Sequence, residues 1–198
     1  MILFHDLKII YCIVPGTGSN SFWRSMFEKY PNSYHLNRHV PAGHPAVDKS
    51  QKIDRINHTG HYRLIRMKEL IDSNTWKTYR KIAFVRQPDA WLWSIYNKGG
   101  IPNAIGENNV GVSYQTFVET VKKTPYSWFT DDDGHVMVDT IYRTEDLREI
   151  CNQYGIKYRE ENVRMRNQRP PPKLDDKHRK IMNEKFAREY KHYEESNG

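Results

Sequence analysis

Cysteine is scarce in this chain: two residues in 198, Cys12 and Cys151, too few for a disulfide framework and without metal-ligand spacing. Cys12 falls in an apolar run and Cys151 on the apolar face of an expected helix. Both read as buried thiols of a reducing, cytoplasmic compartment. Long hydrophobic runs are absent too: no stretch approaches the ~18 apolar residues of a membrane-spanning helix. Met1, Ile2, Leu3, Phe4, His5 and Asp6 lack the basic segment and long apolar stretch of a secretory signal. Internal repeats and low-complexity blocks are also missing.

What remains is a globular composition. Hydrophobic residues make up 37% and aromatics 13%, which suits one compact domain over residues 1–198, and a mean hydropathy of −0.86 implies a heavily polar surface. The formal charge of +7 is unevenly spread: residues 61–100 hold eight Lys/Arg against three Asp/Glu, and residues 101–150 four against nine. A polyanionic ligand suits the basic stretch, and charge alone admits nucleic acid as readily as a phosphorylated small molecule.

Residues 9–14 are apolar without alternation, the mark of a strand covered on both faces. Phe22, Met26 and Tyr30 then recur at the spacing of one helix face. Between them stand Pro15, Gly16, Thr17, Gly18, Ser19, Asn20 and Ser21. Two glycines allow a sharp turn and a close backbone approach, and the unpaired N–H groups of the helix start attract an anion. This is not the loop of ATPases and GTPases, because no Gly-Lys-Ser/Thr ending follows Gly16. A packing-driven strand–helix turn would show the same residues.

A second strand is expected over residues 82–85, followed by Arg86, Gln87, Pro88 and a helix that Asp89 caps and whose Leu92, Ile95 and Tyr96 share a face. Arg86 therefore stands at a strand's carboxyl end, where open parallel sheets bind ligands. Ser94, inside the helix, is a second anion contact if the chain folds back.

These two segments together resemble the sulfotransferase superfamily, whose members transfer a sulfuryl group from 3′-phosphoadenosine-5′-phosphosulfate to an alcohol, phenol or amine. Pro15 to Ser21 look like the family's 5′-phosphosulfate loop, usually Pro-Lys-x-Gly-Ser/Thr-x-Ser. Val85, Arg86, Gln87, Pro88, Ser94 and Tyr96 look like its 3′-phosphate motif, usually Val-Arg-Asn-Pro with a later Ser-x-Tyr. His61 and Trp76, the turn from Trp128 to Gly134, and the block Tyr142, Arg143, Thr144, Glu145, Asp146, Leu147 resemble carbohydrate-type bacterial and viral members. The resemblance covers most of residues 8–195. It implies a single α/β domain with a mostly parallel central sheet flanked by helices, the P-loop-NTPase-like sulfotransferase fold. It also implies 3′-phosphoadenosine-5′-phosphosulfate as donor, 3′-phosphoadenosine-5′-phosphate as product, a hydroxyl acceptor such as a glycan, and no metal. His61 matches a histidine suited to act as base. Arg166 and Arg169 occupy the place of a late loop over the 3′-phosphate and adenine.

The departures bear on catalysis. Gly16 stands where the family carries the lysine that steadies the departing phosphate, and losing such a donor typically costs on the order of 100- to 1,000-fold in rate. Gln87 replaces the motif's Asn, and Trp91 stands where a second arginine is common. Arg24, one turn into the first helix, or an arginine of the late loop is the candidate replacement cation. The alternative is a donor- or nucleotide-binding protein that kept the fold and lost the chemistry. A basic nucleic-acid-binding module is disfavoured, since the aromatics fall on helical core faces rather than among the basic residues.

Elsewhere, residues 31–61 read as loop, with His35, His39, His44, His58 and His61 too irregular for a zinc site. Leu64, Met67, Leu70 and Ile71 share a helix face that Asp72, Ser73 and Asn74 end. Residues 99–111 suit a lid. Ser113 caps a helix carrying Tyr114, Phe117, Val118 and Val121. Asp133 and Gly134 suit a hairpin turn rather than a calcium loop, followed by a strand over 136–142. A helix capped by Thr144 ends at Gly155, and Met182, Phe186, Tyr190 and Tyr193 make one amphipathic C-terminal helix.

Overall fold

Residues 9–14 are apolar throughout because both faces of their strand are covered. The computed structural model describes residues 1–35, 63–98, 111–159 and 170–195, and in it β2 (Ile9–Cys12) is the middle strand of a five-stranded sheet. β1 (Ile2–Phe4) pairs antiparallel with β2 on one side and with β3 (Ser33–His35) on the other. Beyond β2 come β4 (Arg80–Val85) and β5 (Thr140–Arg143), both added in parallel. The order is β3-β1-β2-β4-β5. β3 reverses β1 and so runs with β2; four of these five strands share one direction, and the sheet is mostly parallel.

Side-chain alternation splits the core in two. Ile9, Tyr11 and Ile13 face one layer with Ile82 and Phe84; there α1 (Ser19–Lys29) sets Phe22 and Met26 against Leu147, Ile150 and Cys151 of α6 (Leu147–Gln153). Ile10, Cys12 and Val14 face the other layer with Ala83 and Val85. It is built from α2 (Leu64–Lys68), α4 (Pro88–Asn97), α5 (Tyr114–Thr120) and α7 (Asp176–Lys185), with Phe186 buried between α7 and α8 (Ala187–Glu195). The register sets Cys12 opposite Ala83 and Val85 opposite Arg143. The carboxyl ends of β2, β4 and β5 thus open onto one edge, the edge that carries both motifs.

Several local expectations change. Residues 33–35 form an edge strand rather than loop. Asp72 does not simply end a helix: its Oδ1 accepts from Thr75 N at 2.9 Å and opens α3 (Ser73–Thr78). Gln87, not Asp89, caps α4, its Oε1 accepting from Ala90 N at 2.8 Å with Pro88 in the first turn. The strand expected over 136–142 begins at Thr140, preceded by a lone bridge between Thr130 and Val136. The C-terminal helix breaks in two at Phe186, whose φ of −109° leaves the helical range. The caps at Ser113 and the turn at Gly134, with φ +85°, stand as expected. Residues 99–110 of the expected lid, and the histidines His39, His44, His58 and His61, lie outside the described residues.

Candidate functional site

The turn after β2 buries its Thr17 and Ser19 side chains and leaves its glycines half-buried. Gly16 and Gly18 have φ of +78° and +68°, left-handed values at which a Cβ is strained. The chain therefore bends twice within three residues. Thr17 Oγ1 and Ser19 Oγ both donate to the Val14 carbonyl at 2.9 Å, which turns these buried hydroxyls away from the edge. Gly18 caps α1 by its carbonyl, which accepts from Ser21 and Phe22 N–H groups at 3.0 and 3.3 Å. Among the described residues no acceptor meets the N–H groups of residues 16–20. The result is a run of unpaired donors at the positive end of an 11-residue helix. Asn20 is exposed and accepts from Trp23 Nε1 at 3.0 Å, and the Arg24 guanidinium lies 5.3 Å over the Trp23 ring.

The turn is buttressed from α4. Trp91 Nε1 donates to Pro15 O at 2.6 Å. A Cβ placed on Gly16 would lie 3.0 Å from Ile95 Cδ1 and 3.3 Å from Trp91 Cδ1. Trp91 and Ile95 thus fill the space beside Gly16. Gly18 is tighter still, its Cβ position being 2.7 Å from Leu147 Cδ1.

Arg86 follows the last residue of β4 and is half-buried. Burial lowers the pKa of Lys98, the C-cap of α4, and the Arg86 charge lowers it further. Ser94 is buried on that helix, 2% exposed. Thr144 does not cap a helix. Its Oγ1 lies 2.9 Å from Val85 O and 3.2 Å from Thr17 O, joining the strand before Arg86 to the glycine turn. Next to it Arg143 pairs with both oxygens of Asp146, at 2.8 and 3.0 Å.

Asp89, freed from capping, collects three donors: Arg179 at 2.7 Å, Tyr190 Oη at 2.8 Å and Gln87 Nε2 at 3.0 Å. Burial works against its charge, but the bonds from Tyr190, Arg179 and Gln87 outweigh that and hold the carboxyl below its ordinary value. Burial pushes the Cys12 thiol up to about 12, so it stays protonated and unreactive.

His61, Arg166 and Arg169 lie outside the described residues. Two positions past His61, Arg63 donates to Ser127 O, Thr130 O, Asp131 O and Asp132, tying the start of α2 to the 125–132 turn. In the turn that follows, Asp131, Asp133 and His135 bring ligand-type atoms within 4.8 Å of one another. Asp131 Oδ1 already accepts from Asp133 N and His135 N at 3.0 and 2.8 Å, so its carboxylate closes the turn. The Trp91 buttress, the Thr144 link and the Asp89 cluster carry no local sequence signal, because each joins residues tens of positions apart.

Against known proteins, the model of the sulfotransferase family matches residues 1–161. Neither the curated proteins nor the solved structures offer a significant match.

Proposed function

The chain belongs to the sulfotransferase family, and on that premise we propose that it binds 3′-phosphoadenosine-5′-phosphosulfate and transfers the sulfuryl group to a hydroxyl acceptor, a carbohydrate hydroxyl by resemblance. The observation that carries this reading is the turn of residues 14–21, in which the Thr17 and Ser19 hydroxyls fold back on Val14 O and no acceptor among the described residues meets the N–H groups of residues 16–20 at the head of α1. Such a cradle suits a phosphosulfate held by main chain. Arg86 is assigned the 3′-phosphate, together with Ser94 and with Arg166 and Arg169 of the late loop.

The donor supplies a sulfuryl group already activated by its phosphate. The chain's work is to align the acceptor oxygen with sulfur opposite the phosphate oxygen, to take the acceptor's proton, and to steady the charge left on phosphate. His61 is assigned the proton. Charge stabilisation falls to the N–H row and to Arg24, whose stack on Trp23 leads through Asn20 to the turn. No helix among the described residues is long and apolar enough to cross a membrane. Two free, buried thiols suit a reducing, cytoplasmic setting.

A second reading is favoured by one specific observation: Trp91 and Ile95 close the space at Gly16, which suits a donor-binding protein with weakened chemistry. Calorimetric titration with 3′-phosphoadenosine-5′-phosphate, ATP and a random oligonucleotide tests binding, and a labelled-donor assay with a panel of hydroxyl acceptors tests transfer. Tight, selective binding of the bisphosphate with turnover supports the enzyme; selective binding without turnover supports the binding protein. Equal affinity for ATP overturns both.

A further inference from the structure

The family model ends at residue 161, yet the chain beyond it reaches back to both halves of the donor edge. Tyr193 Oη of α8 lies 3.1 Å from Val85 O and 2.7 Å from Glu145 Oε2. It therefore bridges the residue just before Arg86 to the segment that follows β5. On the other side of Arg86, Tyr190 of α8 and Arg179 of α7 hold Asp89, and Asp89 holds Gln87. Between these two grips Phe186, fully buried, packs against Trp91 with ring centroids 5.7 Å apart, and Trp91 in turn supports Pro15 of the glycine turn.

A flexible arginine at a strand end reads a phosphate well only if the backbone on both sides of it is fixed, because a displacement of about 1 Å degrades a charge-assisted bond sharply. Here the fixing comes from side chains 93 to 107 positions away in sequence, on helices whose apolar face is sealed into the core by Met182 and Phe186. We propose that the α7–α8 pair is a positioning brace for Arg86, with Tyr193 and Tyr190 as its contact points, and that it sets the protein's preference for a 3′-phosphorylated nucleotide. This rests on the donor reading above. None of these side chains is assigned contact with the donor; they act through Val85, Gln87 and Asp89.

The test compares calorimetric affinities for adenosine 3′,5′-bisphosphate and adenosine 5′-monophosphate, whose ratio isolates the 3′-phosphate. The parent is set beside Tyr193→Phe, the double variant Tyr190→Phe/Tyr193→Phe, and Lys191→Ala, which removes an exposed charge from the same helix. Thermal melting reports that each is folded. The ratio is expected to fall about three-fold in the single and about ten-fold in the double variant, the scale of one and two lost hydroxyl bonds, with monophosphate affinity and the Lys191→Ala ratio unchanged. A parent that prefers the bisphosphate while the folded double variant prefers it equally overturns the brace and leaves the donor reading standing. Equal loss of affinity for both nucleotides also overturns it, since that is general loosening. A parent without preference overturns the donor reading and the brace together.

Discussion

Trp91 and Gly16 are fitted to one another. The indole donates to Pro15 O at 2.6 Å while its Cδ1 stands 3.3 Å from where a Cβ on Gly16 would be. On the resemblance that sets Gly16 at the family's lysine and Trp91 at its second arginine, the two departures are one structural event: an aromatic wall takes the room in which that lysine side chain would begin.

Gly16→Lys is accordingly expected not to restore the missing cation. The left-handed φ costs about 1–2 kcal/mol for any side chain, and Ile95 and Trp91 must give way as well. The variant should melt lower and show no gain in labelled-donor turnover. Trp91→Phe, which narrows the wall, should recover part of the loss when combined with it, giving a positive coupling in a double-mutant cycle. A faster Gly16→Lys single variant would mean that the wall yields freely.

Arg86→Ala is expected to weaken binding of adenosine 3′,5′-bisphosphate ten- to a hundred-fold, as charge-assisted bonds of roughly 1.5–3 kcal/mol require, and to leave adenosine 5′-monophosphate binding nearly unchanged. Gly18→Val should abolish binding of both, because its Cβ meets Leu147 Cδ1 at 2.7 Å and displaces the turn. Calorimetry separates the two patterns.

Thr144→Val keeps shape and removes the hydroxyl shared between Val85 O and Thr17 O. The expected loss is about 0.5–1.5 kcal/mol of stability, read by denaturant unfolding. Affinity for both nucleotides should fall, since the turn and the Arg86 strand lose their common tie.

Glu189 is 1% exposed and accepts from Tyr126 N at 3.1 Å. Burial raises its pKa against the hydrogen bonds it accepts. For a carboxyl with a raised folded value the penalty is absent at low pH and grows as pH rises through that value. Glu189→Gln, which retains an acceptor, should raise the melting temperature at pH 7 and have little effect near pH 4. A variant that melts lower at both pH values would assign the carboxylate a bonding role that outweighs its burial cost.

The layered fold was legible because the unalternating run at residues 9–14 and the spacing of Phe22 and Met26 are local patterns that packing obeys. The glycine turn was legible for the same reason, as two glycines between a strand and a helix leave few conformations open. Less legible were features decided by competition among partners. Asp89 is as good a cap as Gln87 by residue type, and it lost that role because Arg179 and Tyr190 claim it from 90 and 101 positions away. Thr144 reads as a cap until β5 brings it beside Val85. The break at Phe186 is invisible in a periodicity that continues through Tyr190 and Tyr193; it places the ring against Trp91.

The two layers also differ in when they can form. The buried cluster around α1 and α6 uses residues 2 to 156, whereas the one around α4 and α5 needs Leu174, Met182 and Phe186. During synthesis, which proceeds from the N-terminus, one side of the sheet can be sealed while the other still exposes Trp91, Leu92 and Phe117. That side stays open to aggregation until residues 174–186 have emerged, so this short stretch acts as a lock on folding.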